Sequence, residues 1–382
     1  MEYNLSAEAR SYLAAHEQET LDLIEALCGI PAPSGSEAAR AAFCKEWLEG
    51  KGARGVVIDD ARNMLYPVNC EGKDDIVLFL AHTDTVFPDT EPLPFSNDGT
   101  YLHSPGVGDD TTCLAQLLTV AGYVAKHHLT SGRGVLFAAN ACEEGLGNLK
   151  GIRQIMKDYA GRITEVYSFD WKYTAFVNRC VGSHRYEIEL TTEGGHSFGA
   201  FGNRNAIHAA ADLICALYGC TPPSYEGSKT TYNVGMIEGG TSVNTIAQSA
   251  KLLYEYRSDD ARCLAEMRAF FEDTVEKARA RGLAEISVRP VGERPCGGEI
   301  DREKLERMSR RVAAVSQKHS GLPCTAQSGS TDCNIPMSLG VPAVCVGTYL
   351  GDGQHTREER VLLSSIPVGT RIAAELILEH FS

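Results

Sequence analysis

The sequence contains no apolar run long enough to cross a membrane. Its first thirty residues, "MEYNLSAEARSYLAAHEQETLDLIEALCGI", mix acids among the apolar side chains and lack the hydrophobic core of a secretion signal. There is no Cys-x-x-Cys pair among the thirteen cysteines, and an odd number cannot all pair within one chain. That pattern implies reduced thiols in a cytoplasmic protein, with Cys28, Cys113, Cys142 and Cys345 serving as core filler inside apolar runs. Positive charge is also scarce: 36 Lys and Arg face 50 Asp and Glu, a net charge of −14. Such a balance argues against nucleic acid or an anionic membrane surface as a partner. No internal repeat or low-complexity segment interrupts the chain.

What is present is globular. With 43% hydrophobic and 23% charged residues over 382 positions, the chain is long enough for two domains. Residues 5–29 and 36–50 read as amphipathic helices separated by the turn "PAPSGS". Four strand-like runs follow, at 75–84, 134–144, 165–170 and 342–350, each nearly continuous in apolar residues as strands covered on both faces are. A helix at 111–128 intervenes, which makes this part α/β with a mixed, mostly parallel central sheet. From about residue 181 apolar and polar residues alternate, as on a sheet with one wet face. There a helix at 205–218, strands at 230–238 and 249–257, a helix at 259–281 and a strand at 284–290 complete a β-α-β-β-α-β order, the ferredoxin-like α+β pattern. The expected organisation is therefore a catalytic domain of residues 1–180 and 296–382, with residues 181–295 inserted into it.

The chemistry-bearing residues gather at predicted strand ends. The run "FLAHTDTVF" feeds a buried strand into His82 and Asp84, which alternate-residue geometry aims at one spot. Taken alone, that pair fits a salt bridge, a catalytic pair or part of a metal site. The second strand ends in Glu143 and Glu144, the third in Asp170, and the last is followed by His355; Asp109 and Asp110 precede the helix at 111. Sites in open α/β sheets lie beyond the carboxyl ends of the strands, so these groups converge. Six carboxylates and two imidazoles in one place cannot all remain ionised without a compensating cation. Two divalent metals supply that compensation, and a carboxylate and imidazole set suits zinc, cobalt or manganese.

The order H-x-D, G-x-x-D-D, E-E-G, a further D and a late H resembles that of the co-catalytic di-zinc metallopeptidases and deacylases. This superfamily includes carboxypeptidase G, peptidase T, carnosinase, aminoacylase and the acetylornithine and succinyl-diaminopimelate deacylases. The resemblance covers nearly the whole chain. It implies that His82 and Asp170 bind one metal, Glu144 and His355 the other, and that Asp109 bridges them. It further implies that Asp84 orients His82, that the Asp109–Asp110 peptide is cis, and that Glu143 is the general base acting on water between the metals.

In the inserted domain, "EGGHSFGAFGNRNAI" resembles the family segment whose histidine, here His196, reaches the active site of a neighbouring subunit. "GGTSVNTIAQSAKLLYEYRSD" resembles the segment supplying a substrate-binding asparagine and arginine, here Asn244 and Arg257. "SGSTDCN" resembles a loop that lines the substrate pocket through Asp332. Thr111, Thr112 and Cys113 stand where the family usually has a lysine and glycine, and Trp171 follows Asp170 where a small or acidic residue is commoner. Asp170 itself, rather than glutamate, leans toward peptidases. The expectation is a homodimeric two-zinc exopeptidase acting on short peptides. An N-acyl-amino-acid deacylase is the alternative, and a catalytically inactive binding protein a remote one.

Overall fold

The computed structural model describes residues 4–381, which divide into two compact units. One runs through Cys180 and resumes at Gly298; the other is Val181–Gly297. The fold is mixed α/β, with a large, mostly parallel sheet.

The first unit is built on an eight-stranded sheet. Its centre is four parallel strands in the order Gly134–Asn140, Ile76–His82, Ile163–Phe169, Ala343–Val346. The strand Ile76–His82 is buried along its whole length because helices cover both faces. Val77, Phe79 and Ala81 enter one apolar cluster, while Ile76, Leu78 and Leu80 enter the other. That two-sided burial is the reason the run reads as continuously apolar. Helices Ala7–Ala15, Glu17–Cys28, Cys113–Lys126, Arg302–Ser320 and Ile366–Leu378 supply the first cluster, and Lys150–Asp158 packs on the second.

Several boundaries differ from expectation for local reasons. The predicted helix at 5–29 is two helices, parted at His16, whose backbone leaves helical values and whose ring stacks on Tyr12 at 3.8 Å. The strand expected at 134–144 stops at Asn140, and Cys142 takes a left-handed conformation at φ 62°. Glu143 and Glu144 consequently lie on a loop. Strands Met64–Val68, Ala175–Cys180 and Thr325–Gly329 have no counterpart in the hydropathy pattern; the last is exposed over most of its length. A separate four-stranded sheet of short segments, from Ser96–Asn97 to Arg360–Leu362, is also new.

The second unit is a four-stranded antiparallel sheet in the order Thr230–Gly239, Ser249–Ser258, Gly182–Thr191, Glu285–Arg294. Helices Ala206–Leu217 and Ala261–Ala280 cover one face, where Ala250, Leu252, Tyr254 and Tyr256 alternate inward. Asn205 and Asp260 cap these helices through their side-chain oxygens.

Phe79 lies at the middle of the central strand, fully buried, with its ring 5.3 Å from Tyr167 and 6.0 Å from Phe137. Phe79→Ala is expected to cost about 3–5 kcal/mol of stability. Denaturant unfolding measures this, and a loss below about 1 kcal/mol would show that the sheet centre is not the tightly packed core described.

Candidate metal centre

The parallel strands deliver their carboxyl ends to one region of the first unit. His82 is the last residue of its strand, and its main-chain N–H donates to Asp110 Oδ2 at 2.8 Å. Its ring Nδ1 faces two oxygens of Asp84, the carbonyl at 3.0 Å and Oδ1 at 3.4 Å. The ring proton therefore sits on Nδ1, and the Nε2 lone pair points the other way. What it meets is Asp109 Oδ1, at 3.1 Å. The second oxygen of the same carboxylate, Oδ2, faces His355 Nε2, also at 3.1 Å. His355 Nε2 is in turn 3.2 Å from Glu144 Oε1, an oxygen that is buried and receives no properly directed hydrogen bond.

Asp109 lies in the segment Val107–Thr112, whose backbone leaves helical values at Asp109 and Asp110 just before the helix Cys113–Lys126. Gly106 enters it in the left-handed region, at φ 76°. Buried Glu359 accepts three main-chain N–H groups there, from Gly106 at 2.7 Å, Gly108 at 2.9 Å and Asp109 at 2.8 Å. A side chain on Gly108 would come within 2.8 Å of the Tyr349 ring and 2.9 Å of Glu359 Oε1. The Asp109–Asp110 peptide is cis.

Asp84 is fully buried. Its carboxylate accepts the amides of Glu143 and Glu144, each at 2.9 Å, and the Ser34 hydroxyl at 2.6 Å. It thus holds the Glu143–Glu144 loop as well as His82. Asp170 follows its strand directly, with its amide on Val346 O at 3.1 Å and its carboxylate largely buried.

These placements make three sets of donor atoms, each mutually within 4.8 Å: His82, Asp109 and Asp170; Asp109, Glu144 and His355; and His82, Glu143 and Glu144. The first two share Asp109. A metal test follows from the tautomer: an imidazole lone pair and a carboxylate oxygen 3.1 Å apart repel unless a cation or a further proton lies between them. Two ligands of one small divalent ion, each about 2.1 Å from it, stand about 3.0–3.4 Å apart. The residues fit the group.

The electrostatics carry the same message. Burial disfavours a charged His82, but the carboxylates of Asp110, Asp109 and Asp84 outweigh it and hold the imidazole well above its ordinary pKa. The close carboxylates of Asp109 and Glu144 push His355 up to about 11. Burial, reinforced by the charge of Asp109, raises Asp170 well above the carboxylate range and Glu144 to about 7. Protons stand in for divalent charge throughout.

Asp332, expected at the substrate pocket, is buried and accepts the Asn140 side-chain amide at 2.6 Å. Burial and the charge of Glu143 raise it to about 8. In the second unit, His196 pairs with Thr245, and Asn244 O accepts the Ser197 amide at 2.9 Å, so the loops carrying His196 and Asn244 are neighbours. His196 Nδ1 accepts the amides of Phe198 and Gly199 at 3.3 and 3.2 Å, which leaves the N–H on exposed Nε2. Arg257 has an internal partner: its guanidinium makes two bonds to Glu255, at 3.0 and 3.1 Å.

Three residues of this centre are absent from the motif reading. Glu359 sits in "TREER", a charge run that resembles a solvated turn; the glycines at 106 and 108 are the only hint that something must fit beneath Asp109. Arg40, buried, donates to Ile30 O at 2.8 Å, Thr83 O at 3.0 Å and Thr111 Oγ1 at 3.3 Å. Ser34 lies in a turn-like stretch with no signal beyond its type.

A mostly parallel sheet whose strand ends carry paired histidine and carboxylate donors defines a metallohydrolase scaffold. Residues 78–379 match the Peptidase family M20/M25/M40, and the chain belongs to that family. A curated relative, a putative succinyl-diaminopimelate desuccinylase of Mycobacterium tuberculosis, is 25% identical over 371 residues, covering 95% of this chain and 98% of its own. Among solved structures, a tripeptidase from Staphylococcus aureus shares the fold with a TM-score of 0.73 at 23% identity, over 94% of this chain and 97% of its own. A Bacillus subtilis protein described as a dinuclear metal-binding peptidase does so with a TM-score of 0.66 at 14% identity, over 96% and 99%. The homologues and structural neighbours are hydrolytic enzymes.

Because His82, His355, Asp170 and Glu144 are all pushed toward their protonated forms, metal loading must displace protons. Calorimetry at pH 7 in buffers of different ionisation enthalpy is expected to show at least one proton released per chain, with apparent affinity falling as pH falls. Zinc binding with no proton release would contradict the electrostatic account.

Proposed function

We propose that this chain is a two-metal hydrolase that cleaves the amide bond of short peptides as an exopeptidase. One observation carries the reading: each oxygen of Asp109 faces a different imidazole at 3.1 Å, so one carboxylate serves two centres. His82, Asp109 and Asp170 would hold one ion; Asp109, Glu144 and His355 would hold the other. Zinc suits this set best, with cobalt and manganese as substitutes. When bound, such ions polarise a carbonyl and acidify water.

The chain's own residues supply the proton transfers and the geometry. Glu143 takes the proton of the attacking water and passes it to the leaving amine. Its amide is anchored on Asp84, and its carboxylate shares a 4.8 Å donor group with His82 and Glu144. Asp84 is a positioning residue, since it fixes the His82 tautomer and the Glu143–Glu144 loop together. Asp170 at the terminal ligand position and the tripeptidase neighbour support a peptidase. The desuccinylase relative supports the second reading, an N-acyl-amino-acid deacylase with the same machinery.

His196 acts in trans, across a homodimer. Its exposed Nε2–H is the form that donates to a developing oxyanion. Phe198, Phe201 and Val243, on the loops around it and Asn244, are 89%, 90% and fully exposed, apolar area that a second copy covers. Asn244 joins His196 on the substrate, and Arg257 reaches a substrate carboxylate by exchanging Glu255 for it. The lid and dimerisation role belongs to the second unit. Thirteen free cysteines support a cytoplasmic, reducing compartment.

Glu143→Gln is expected to keep its metals and fold while losing about 10²–10⁴-fold in turnover on the peptides it cleaves. Near-normal turnover would remove Glu143 from the role of base. His196→Ala should lower turnover with metal content unchanged. Mixed with Glu143→Gln chains, it forms heterodimers in which one site carries both defects and the other neither, so activity should rise above either parent after exchange. Exchange confirmed by mass without such a rise would place His196 outside the partner's site.

A further inference from the structure

Beside the candidate centre, the first unit contains a cavity of about 430 Å³ whose walls include Asp109, Asp170, His355, Trp171, Tyr349 and Lys172. Thr174, Gln327 and Gln354 complete its polar lining. Of these groups Lys172 is the one with unused charge. Among the described residues its ammonium makes no hydrogen bond and no ion pair. The acid that feels its charge, Asp352, is already engaged by Arg360 through two bonds of 2.9 and 3.2 Å. The carboxylates of the centre would be matched by the two ions of the proposed reading, and Lys172 would then be the cation available to a ligand.

The position is built rather than incidental. Lys172 forms a parallel bridge with Tyr349, and the chain on either side is locked: Thr348 N–H donates to Trp171 O at 2.9 Å and Tyr173 N–H to Tyr349 O at 3.1 Å. Ala175 N–H closes the turn onto Lys172 O at 3.0 Å. The two segments approach so closely that a side chain on Gly347 would overlap Lys172 O at 2.0 Å. A lysine on a backbone held this way, two residues beyond a candidate metal ligand, loses less freedom on binding than one on a loose loop.

We infer that Lys172 selects substrates bearing a free carboxylate near the scissile amide, with Trp171 and Tyr349 walling the apolar part of the same group. This rests on the amide-hydrolase reading above and narrows its substrate class. The carboxylate has two sources: the acyl half, as in a glutamyl or succinyl group, or the α-carboxylate of the amine half. An ammonium serves either one, as a point charge.

The test is a matched panel with the zinc-loaded enzyme. Glu-Leu-amide against Gln-Leu-amide, and N-succinyl- against N-butyryl-leucine amide, report a carboxylate on the acyl half. Gln-Leu against Gln-Leu-amide reports one on the amine half. One arm is expected to favour the acid by about tenfold or more in kcat/KM, chiefly through KM. In Lys172→Met that ratio should collapse toward one with metal content unchanged, and Lys172→Arg should restore most of it. Equal kcat/KM for acid and neutral members of every pair, or a ratio that survives Lys172→Met, overturns the inference alone. A zinc-loaded enzyme that cleaves no member overturns the amide-hydrolase reading and the inference with it.

Discussion

The structure depends on keeping a dense set of carboxylates buried at the end of a parallel sheet. Asp84, Glu143, Glu144 and Asp170 lie within four residues of the ends of three parallel strands, Asp109 and Asp110 come just before the helix Cys113–Lys126, and most of the six are almost wholly buried. Charges at that density are tolerable only when each is hydrogen-bonded or balanced by a cation. The protein meets part of the requirement with its own groups. Asp84 is satisfied by two amides and a hydroxyl, Glu359 by three amides, and buried Arg40 contributes a positive charge beneath the same loops. What remains, around Asp109, Glu144 and Asp170, is left to protons or to metal ions. The incomplete compensation is the functional feature.

This constraint also accounts for what was legible in the sequence. Strand ends could be found because two-sided burial makes "DIVLFLA" and "GVLFAAN" continuously apolar, and the first histidine or acid after each run marks where cover ends. His82, Glu143, Glu144 and Asp170 were therefore nameable as candidates, the family resemblance singled out Asp109, Glu144 and His355 beside them, and the donor atoms of His82, Asp109 and Asp170 and of Asp109, Glu144 and His355 do come together. Glu359 and Arg40 were not, because they act on main-chain amides and carbonyls that any sequence supplies. Asp332 lies on the loop that resembles a pocket wall, and its buried carboxylate accepts the Asn140 side-chain amide. Arg257, whose type suggests a carboxylate clamp, is held by Glu255, two residues away on the same strand.

The two units solve different physical problems. The first buries charge in a rigid α/β frame, where side chains at strand ends are held by main-chain hydrogen bonds on both sides. The second is an antiparallel sheet with its helices on one face, and it leaves Phe198, Phe201 and Val243 in water. Exposed aromatic side chains on glycine-rich loops suit a surface that closes on something else. Lys172, on the first unit, lines the cavity beside the candidate centre.

The central proposal is that the Asp109 carboxylate would be shared by two ions. Anomalous diffraction from zinc-loaded crystals, recorded on both sides of the zinc absorption edge, tests it directly. The account predicts two peaks per chain, one on each side of the Asp109 carboxylate, the first within ligand distance of His82 and Asp170 and the second of Glu144 and His355. A single peak at full loading, or two peaks with Asp109 bound to neither or to only one, would contradict it.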